Sequence, residues 1–130
     1  MSDALNAFLS YNKEPEKEVY IKRFGVNFKV KPITNDEYYD LRERASYSVG
    51  KGSNQTTEVN ERELDALLVA QGLVEPDFSN AKALEKHNAM DAADVVGKAL
   101  YVGEIKTLQE AILRLSGFDD GEEEIEAAKN

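Results

Sequence analysis

One apolar run constrains the fold of this chain more than any other feature of its sequence. The run covers residues 64–78, LDALLVAQGLVEPDF, and a helical reading places Leu64, Leu67 and Leu68 on one face. A helix that is apolar over most of its circumference has to be covered, either by the protein's own core or by another chain. Because Pro76 lacks an N–H and clashes with the preceding turn, the helix is predicted to end before it.

The composition excludes several classes of protein. The chain has 130 residues with 25 acids and 16 bases, and its formal net charge of −9 argues against direct binding to a phosphate backbone. The absence of cysteine excludes disulfides and thiolate metal sites. No apolar run approaches the roughly 18 residues of a membrane span, and the first ten residues lack the pattern of a signal peptide. We therefore expect a cytoplasmic protein with neither nucleic-acid nor membrane partners.

The N-terminus predicts a short amphipathic helix. Ser2 suits the start of a helix, and Leu5, Phe8 and Leu9 then follow at the spacing of one helix face. A helix of about two turns is marginally stable in water, so its apolar face is expected to pack against something. We consider Leu5, Phe8 and Leu9 candidate partner-binding residues, and docking of this helix on the protein's own core explains them equally well.

The next segment predicts a β-hairpin. Residues 19–24 are rich in β-forming side chains, and residues 26–31 alternate strictly between apolar and polar. Gly25 lies between the two runs, which indicates a tight turn and a hairpin with one buried face. Pro32 is expected to end the second strand.

Two further helices have recognisable starts, with a polar stretch between them. Thr34 and Glu37 have the spacing of a capping box, in which each residue binds a backbone N–H of the other. Asn60 and Glu63 repeat this pattern at the start of the long apolar run. Residues 48–57, SVGKGSNQTT, are small and polar and predict a flexible loop.

The C-terminal half predicts two short helices and one long one. Ser79 or Asn80 can cap the first of them, and Asp91 can cap the second. Residues 116–118, Ser-Gly-Phe, are typical of a Schellman stop with a left-handed glycine. The long helix before this stop carries one apolar stripe, formed by Ile105, Leu108, Ile112 and Leu115.

Together these elements predict an α+β, mostly helical fold: a short N-terminal helix and a β-hairpin, followed by about four to five packed helices. We expect residues 1–118 to form a single domain, with the long apolar run as a core helix. Residues 119–130 carry six acids and one lysine, and we expect them to form a disordered tail.

No pattern in the chain predicts an enzyme. His87 is the only histidine, and no neighbour would orient it or receive its proton. Residues 50–53, Gly-Lys-Gly-Ser, are similar to the end of a phosphate loop, but Ala45 stands where that loop needs its first glycine. The acids of the tail lack the spacing of a calcium loop. We therefore expect no catalytic residue, no cofactor and no metal site.

Three segments of the chain resemble phage tail assembly chaperones of the XkdN-like family. Residues 28–38 followed by 41–44 (FKVKPITNDEY and LRER) resemble the junction between strand and helix in that family. Residues 67–118 resemble its second half, with an apolar helix, a Pro-Asp-Phe elbow, two short helical segments and a final helix that ends in Ser-Gly-Phe. Residues 5–9, LNAFL, look like its N-terminal helix. The order and spacing of these motifs carry the resemblance, because each motif alone is common.

The resemblance implies a non-enzymatic protein encoded by a phage or prophage. Such a chaperone would bind the long tape measure protein, keep its apolar helices soluble and help tail tube protein subunits to polymerise around it, without ATP. It would act in the host cytoplasm and be absent from the mature virion. We also expect it to form a homo-oligomer.

Two other classes of function are open to an acidic phage protein. The first is an acidic inhibitor or DNA mimic, whose carboxylates imitate the spacing of phosphates; deletion of residues 119–130 should abolish its activity but leave a chaperone's binding largely intact. The second is a structural tail component, which would be found in purified virions.

Overall fold

A computed structural model describes residues 2–11 and 15–118 of the chain. It confirms the predicted α+β, mostly helical fold, with a short helix and a hairpin followed by five α-helices in the described part. The tail predicted at 119–130 lies outside the described residues. In chain order the elements are α1 (Asp3–Ser10), β1 (Lys17–Ile21), β2 (Val26–Val30), α2 (Asn35–Arg44), β3 (Ser46–Val49), a 3-10 turn (Gly52–Asn54), β4 (Thr56–Val59), α3 (Glu61–Gly72), β5 (Leu73–Glu75), α4 (Ala81–Lys86), α5 (Ala92–Ala99) and α6 (Val102–Leu115).

The predicted hairpin is present, but its first strand covers Lys17–Ile21 instead of the predicted residues 19–24. Strands β1 and β2 pair antiparallel, and Val19 faces Phe28 in their register. β1 ends at Ile21 because residues 22–25 form the turn, in which the Gly25 N–H donates to the Ile21 carbonyl at 3.0 Å. One face of the hairpin is buried against α6, as the alternating sequence predicted.

The helix of the long apolar run ends before Pro76, as predicted, but the three residues before the proline form a strand instead of the last helical turn. Helix α3 ends at Gly72, and residues Leu73–Glu75 form β5, which pairs antiparallel with β2 to give the sheet order β1-β2-β5. Leucine and valine suit both a helix and a strand, so local sequence does not decide between the two. The free edge of β2 decides, because its N–H and C=O groups need partners that β5 supplies.

Residues 46–59 form a second antiparallel hairpin, β3-β4, where the sequence predicted a flexible loop at 48–57. Most of its side chains are exposed, so it has no strict apolar alternation by which the sequence could have signalled strands. Gly50 has a positive φ of 92°, and a Cβ at this position would lie 2.7 Å from the Asn54 carbonyl oxygen. The glycine that suggested a linker is therefore the residue that the tight turn requires.

The predicted helix boundaries depend on short-range hydrogen bonds that the structure confirms. Thr34 and Glu37 form both halves of a capping box. Gly117 has a φ of 93°, and the Phe118 N–H donates to the Leu113 carbonyl at 2.9 Å, which completes the Schellman stop. The remaining predicted caps that accept from a backbone N–H are Ser2, Asn60, Asn80 and Asp91.

The apolar face of α3 lies at the centre of the core, packed against α5 and α6. Helix α6 supplies Leu108 and Ile112 to this contact, both fully buried, and α5 supplies Val96. The predicted stripe of α6 is therefore confirmed as a core face. The buried residues of α3 are Leu64, Leu67, Leu68, Val69 and Gly72.

Gly72 marks the closest approach between α3 and α6. A Cβ added to this residue would lie 2.5 Å from Cδ1 of Ile112, well inside van der Waals contact. The Gly72 carbonyl also accepts a hydrogen bond of 2.8 Å from the N–H of Lys31, just beyond β2. The position therefore needs a residue without a side chain.

An arginine in the hairpin turn joins the sheet to the start of α6. Arg23 donates two hydrogen bonds to the Glu104 carboxylate, at 2.7 and 2.8 Å, and one to the Ala99 carbonyl at 2.8 Å. Its guanidinium carbon lies 4.3 Å from the ring centroid of Phe24 and 4.0 Å from that of Tyr101. A bidentate bond combined with stacking holds the turn in one orientation.

We predict that Gly72→Ala destabilises the protein by about 1–3 kcal/mol, because the fully buried Ile112 has no space into which to move. Gly97→Ala is the matched control: Gly97 is also helical, and a Cβ there would meet no atom within 4 Å. That change should be neutral or stabilising by up to about 1 kcal/mol. Urea unfolding followed by circular dichroism measures both, and equal stabilities of the two variants would contradict the proposed role of Gly72.

We predict that Glu104→Gln lowers stability at neutral pH and weakens the loss of stability on acidification. The hydrogen bond from Arg23, with that from the Tyr101 N–H, lowers the pKa of Glu104 below its ordinary value of 4.5. A carboxyl group whose pKa is lowered by folding contributes stability above its unfolded pKa, and this contribution disappears as the pH falls through the folded pKa. The protein's stability should thus fall below about pH 4.5 more steeply than that of the variant.

Urea midpoints at about pH 7 and about pH 3 test this dependence on Glu104. Glu85→Gln is the control, since within the described residues the Glu85 carboxylate makes no hydrogen bond or ion pair. If the urea midpoints of both variants fell between the two pH values by as much as that of the unchanged protein, the ion pair would not contribute to stability.

Candidate partner-binding site

Helix α1 presents an uncovered apolar face. The Leu5 N–H donates to the Ser2 hydroxyl at 3.1 Å, so the helix starts at the predicted cap. None of its residues is buried, and the exposed fractions of Leu5, Phe8 and Leu9 are 42%, 66% and 64%. We call these three side chains the α1 face. The sequence left two explanations for these side chains, a contact with a partner or docking on the protein's own core. In the structure they do not pack on the core.

The α1 face is chemically suited to a helix or groove on another molecule. Removing one large apolar side chain from water stabilises a complex by about 1.5–3 kcal/mol. An eight-residue helix has little stability of its own, so a partner that covered this face would also stabilise the helix. The Tyr11 ring lies 6.0 Å from the Phe8 ring and extends the apolar surface past the helix end.

A second surface, which sequence reasoning missed, is an open groove along α3, α5 and α6. Its volume is about 1020 Å³. Leu67 and Leu100 line it as buried residues, whereas Met90 and Val102 also line it and are 88% and 74% exposed. Gly97 adds a stretch of bare backbone on α5. The groove forms only when three helices that are separated in sequence pack together, so the sequence alone does not predict it. A possible sequence signal for an open helix surface was Gly97, inside the short apolar helix α5.

Several acidic side chains are committed to local structure. The backbone N–H of Met90 and the ammonium of Lys98 lower the pKa of Asp94, and the Thr34 N–H is the main cause of a lowered pKa at Glu37. Glu104 is held by Arg23. These carboxylates stabilise helix starts and contacts between elements, which explains their presence without a phosphate-mimicking role.

The described residues show no arrangement typical of catalysis. His87 caps the end of α4, where its backbone N–H donates to the Ala83 carbonyl. Residues 50–53 lie in the turn of the β3-β4 hairpin, outside the strand-to-helix setting of a phosphate loop. Within residues 2–11 and 15–118, no group of three or more acids or histidines could hold a metal ion. Across the same residues, every helix is too short or too polar to span a membrane.

Comparison with known proteins identifies the family. The crystal structure of the protein YqbN, a structural genomics target, matches with a TM-score of 0.61 and 22% identity over 84% of this chain and 90% of that one. At this identity the likeness shows a shared fold alone. No curated protein sequence matches.

The sequence profile of the phage XkdN-like tail assembly chaperone proteins matches residues 5–129. This match includes most of α1, the hairpin and all five later helices, and it confirms the resemblance that the sequence motifs carried. Because it spans nearly the whole chain, the protein belongs to the phage XkdN-like family of tail assembly chaperones.

Proposed function

We propose that this protein binds the tape measure protein of its phage through the α1 face and keeps that protein's apolar helices soluble. The observation that carries the proposal is the exposure of Leu5, Phe8 and Leu9 on a helix that buries nothing. In a soluble protein, such a face is favoured as a contact with another apolar surface. Membership in the tail assembly chaperone family supplies the kind of partner.

In the proposed complex, two amphipathic helices pack against each other through their apolar faces. Residues at i, i+3 and i+4 of α1 would enter a groove or stripe on a tape measure helix. The formal charge of −9 would keep the complex dispersed, because like-charged particles repel one another. Binding and release would require neither ATP nor a cofactor, so the proposed role is non-enzymatic.

The other parts of the proposal concern assembly. The protein would act in the host cytoplasm, self-associate, and deliver the tape measure protein to polymerising tail tube subunits. It would then leave, so purified virions should lack it, whereas a structural tail component would be retained. Quantitative mass spectrometry of purified virions separates these two roles.

The alternative of a DNA mimic is less well supported. Family membership favours the chaperone, and several acids of the described part have local structural roles. Removal of residues 119–130, which hold six acids, should leave most of the binding to the tape measure protein intact.

We predict that Phe8→Asp combined with Leu9→Asp weakens binding to the tape measure protein by at least about tenfold, because two apolar contacts would be replaced by desolvated charges. The matched control is Ala7→Asp combined with Ser10→Asp, which adds the same charge on the opposite face of α1. Since α1 buries no residue, both variants should keep the unfolding midpoint of the unchanged protein.

The measurement is co-expression with the tape measure protein from the same genome, followed by co-purification and quantification of the soluble tape measure protein. The control should retain both binding and soluble yield. The proposal fails if the unchanged protein neither binds the tape measure protein nor raises its soluble yield. Equal losses in the two double variants would show that charge, and not the α1 face, matters.

A further inference from the structure

We propose that strand β1 pairs antiparallel with β1 of a second copy of the chain, so that two three-stranded sheets join into one larger sheet. The pairing is centred on Tyr20, which would face its counterpart across a two-fold axis. The inference rests on the self-association in the proposed function, and it names the surface that self-association would use. It does not involve the α1 face.

Strand β1 is an open edge of the sheet. Among the described residues it pairs only with β2, and no other backbone hydrogen bond reaches residues 17–20. An edge strand presents N–H and C=O groups that can pair with another strand. Many natural edges avoid this with a β-bulge, but the register of β1 with β2 is regular over all five residues. The edge is therefore able to accept a further strand.

The two faces of β1 are compatible with self-pairing. Val19 and Ile21 are buried, whereas Glu18 and Tyr20 are exposed. Since a shift of one residue exchanges the two faces, the joined strands must place buried residues opposite buried residues. Centring the pair on Tyr20 does so, because Val19 then lies opposite Ile21 of the second copy. The apolar face of the sheet would continue across the joint.

The charges of the exposed face are complementary to themselves in this register. Glu18 lies opposite Lys22, which directly follows β1, and the two-fold axis repeats the contact. Within the described residues neither side chain forms an ion pair, although Lys29 lies opposite Glu18 on β2 and Asn27 donates to its carboxylate at 3.5 Å. Centring the pair on Glu18 or on Lys22 would instead place like charges opposite each other, which is unfavourable.

The exposed tyrosine also favours this register. With Tyr20 at the centre, the two rings are direct neighbours on the exposed face, and aromatic pairs across strands stabilise a sheet. Centring the pair on Val19 or Ile21 would place Tyr20 opposite Glu18 or Lys22 and would lose the aromatic contact.

Two electrostatic terms oppose the pairing. The register brings Lys17 towards Arg23 of the second copy, but the guanidinium of Arg23 already pairs with Glu104, which offsets this repulsion. The net charge of −9 on each copy also disfavours association at long range. The backbone hydrogen bonds of the joined strands and the contact of Val19 with Ile21 act against these terms, and salt screens the long-range repulsion.

Single cysteines can report the register, because the chain contains none. Directly opposed residues of antiparallel strands have Cα atoms about 4.5–5.5 Å apart, which a disulfide can span. Under mild oxidation, Tyr20→Cys should therefore form a covalent dimer rapidly. Asn27→Cys is the matched control: Asn27 is exposed and lies opposite Tyr20 on β2. Three strand spacings, about 14 Å, would separate it from its counterpart, so it should form a dimer far more slowly.

A charge exchange links the dimer to the proposed ion pairs. Glu18→Lys and Lys22→Glu each replace two attractive contacts by two repulsive ones, so each should weaken the dimer by about tenfold in sedimentation equilibrium. The combined variant exchanges the two charges and should restore most of the lost affinity. An effect of net charge alone predicts a different result, since Glu18→Lys makes the chain less negative and would then strengthen association. Circular dichroism checks that each variant remains folded.

Four results would overturn the proposal. A chain that stays monomeric at every concentration would do so, and so would equal rates of cross-linking for Tyr20→Cys and Asn27→Cys. A dimer that neither charge reversal weakens would use another surface. If Tyr20→Cys in co-expressed protein cross-linked to the tape measure protein and not to a second copy, that protein would be the occupant of the edge.

The test is separable from that of the α1 face. Phe8→Asp with Leu9→Asp should leave the cross-link at Tyr20→Cys unchanged, and Glu18→Lys should still co-purify with the tape measure protein. Loss of the dimer alone would therefore contradict the pairing of β1, whereas loss of tape measure binding alone would contradict the role of the α1 face.

Discussion

The rest of the structure depends on the contact between Gly72 and Ile112. At Gly72 helix α3 ends and β5 begins, its carbonyl is bonded to the chain just beyond β2, and its Cα faces α6. The sheet and the two longest helices of the described part thus meet at one residue that has no side chain. Any larger residue would separate α3 from α6 or displace β5 from the edge of β2, because protein interiors leave almost no free volume.

A second joint closes the opposite end of the sheet. There the Arg23 guanidinium links the hairpin turn to the first turn of α6 through Glu104 and two aromatic rings. The two joints use different physics, since one is steric and insensitive to pH whereas the other is ionic and weakens in acid. Between them, the buried hairpin face and the α3 and α6 faces form one continuous core.

Two of the apolar surfaces outside this core bear on the proposed role. The α1 face is exposed on a helix that contributes nothing to the core, and the groove is bordered by Met90 and Val102. A chaperone needs accessible apolar surface, yet such surface also promotes aggregation. Strong net negative charge and small, separated apolar surfaces reconcile the two requirements.

The sequence by itself determined several features that short-range chemistry controls. The capping box at Thr34, the stop at Gly117, the alternation in β2 and the stripe of α6 each involve atoms within a few residues of one another, so the residues present leave little choice. The α1 face was also visible in the sequence, although its exposure was not. Only the tertiary structure decided β5, the β3-β4 hairpin, the Arg23 joint and the groove. β5, the Arg23 joint and the groove depend on partners far away along the chain: Leu73 suits a helix or a strand equally, and the unpaired edge of β2 makes it a strand. The β3-β4 hairpin is local, but its mostly exposed side chains give no apolar alternation by which the sequence could have signalled strands.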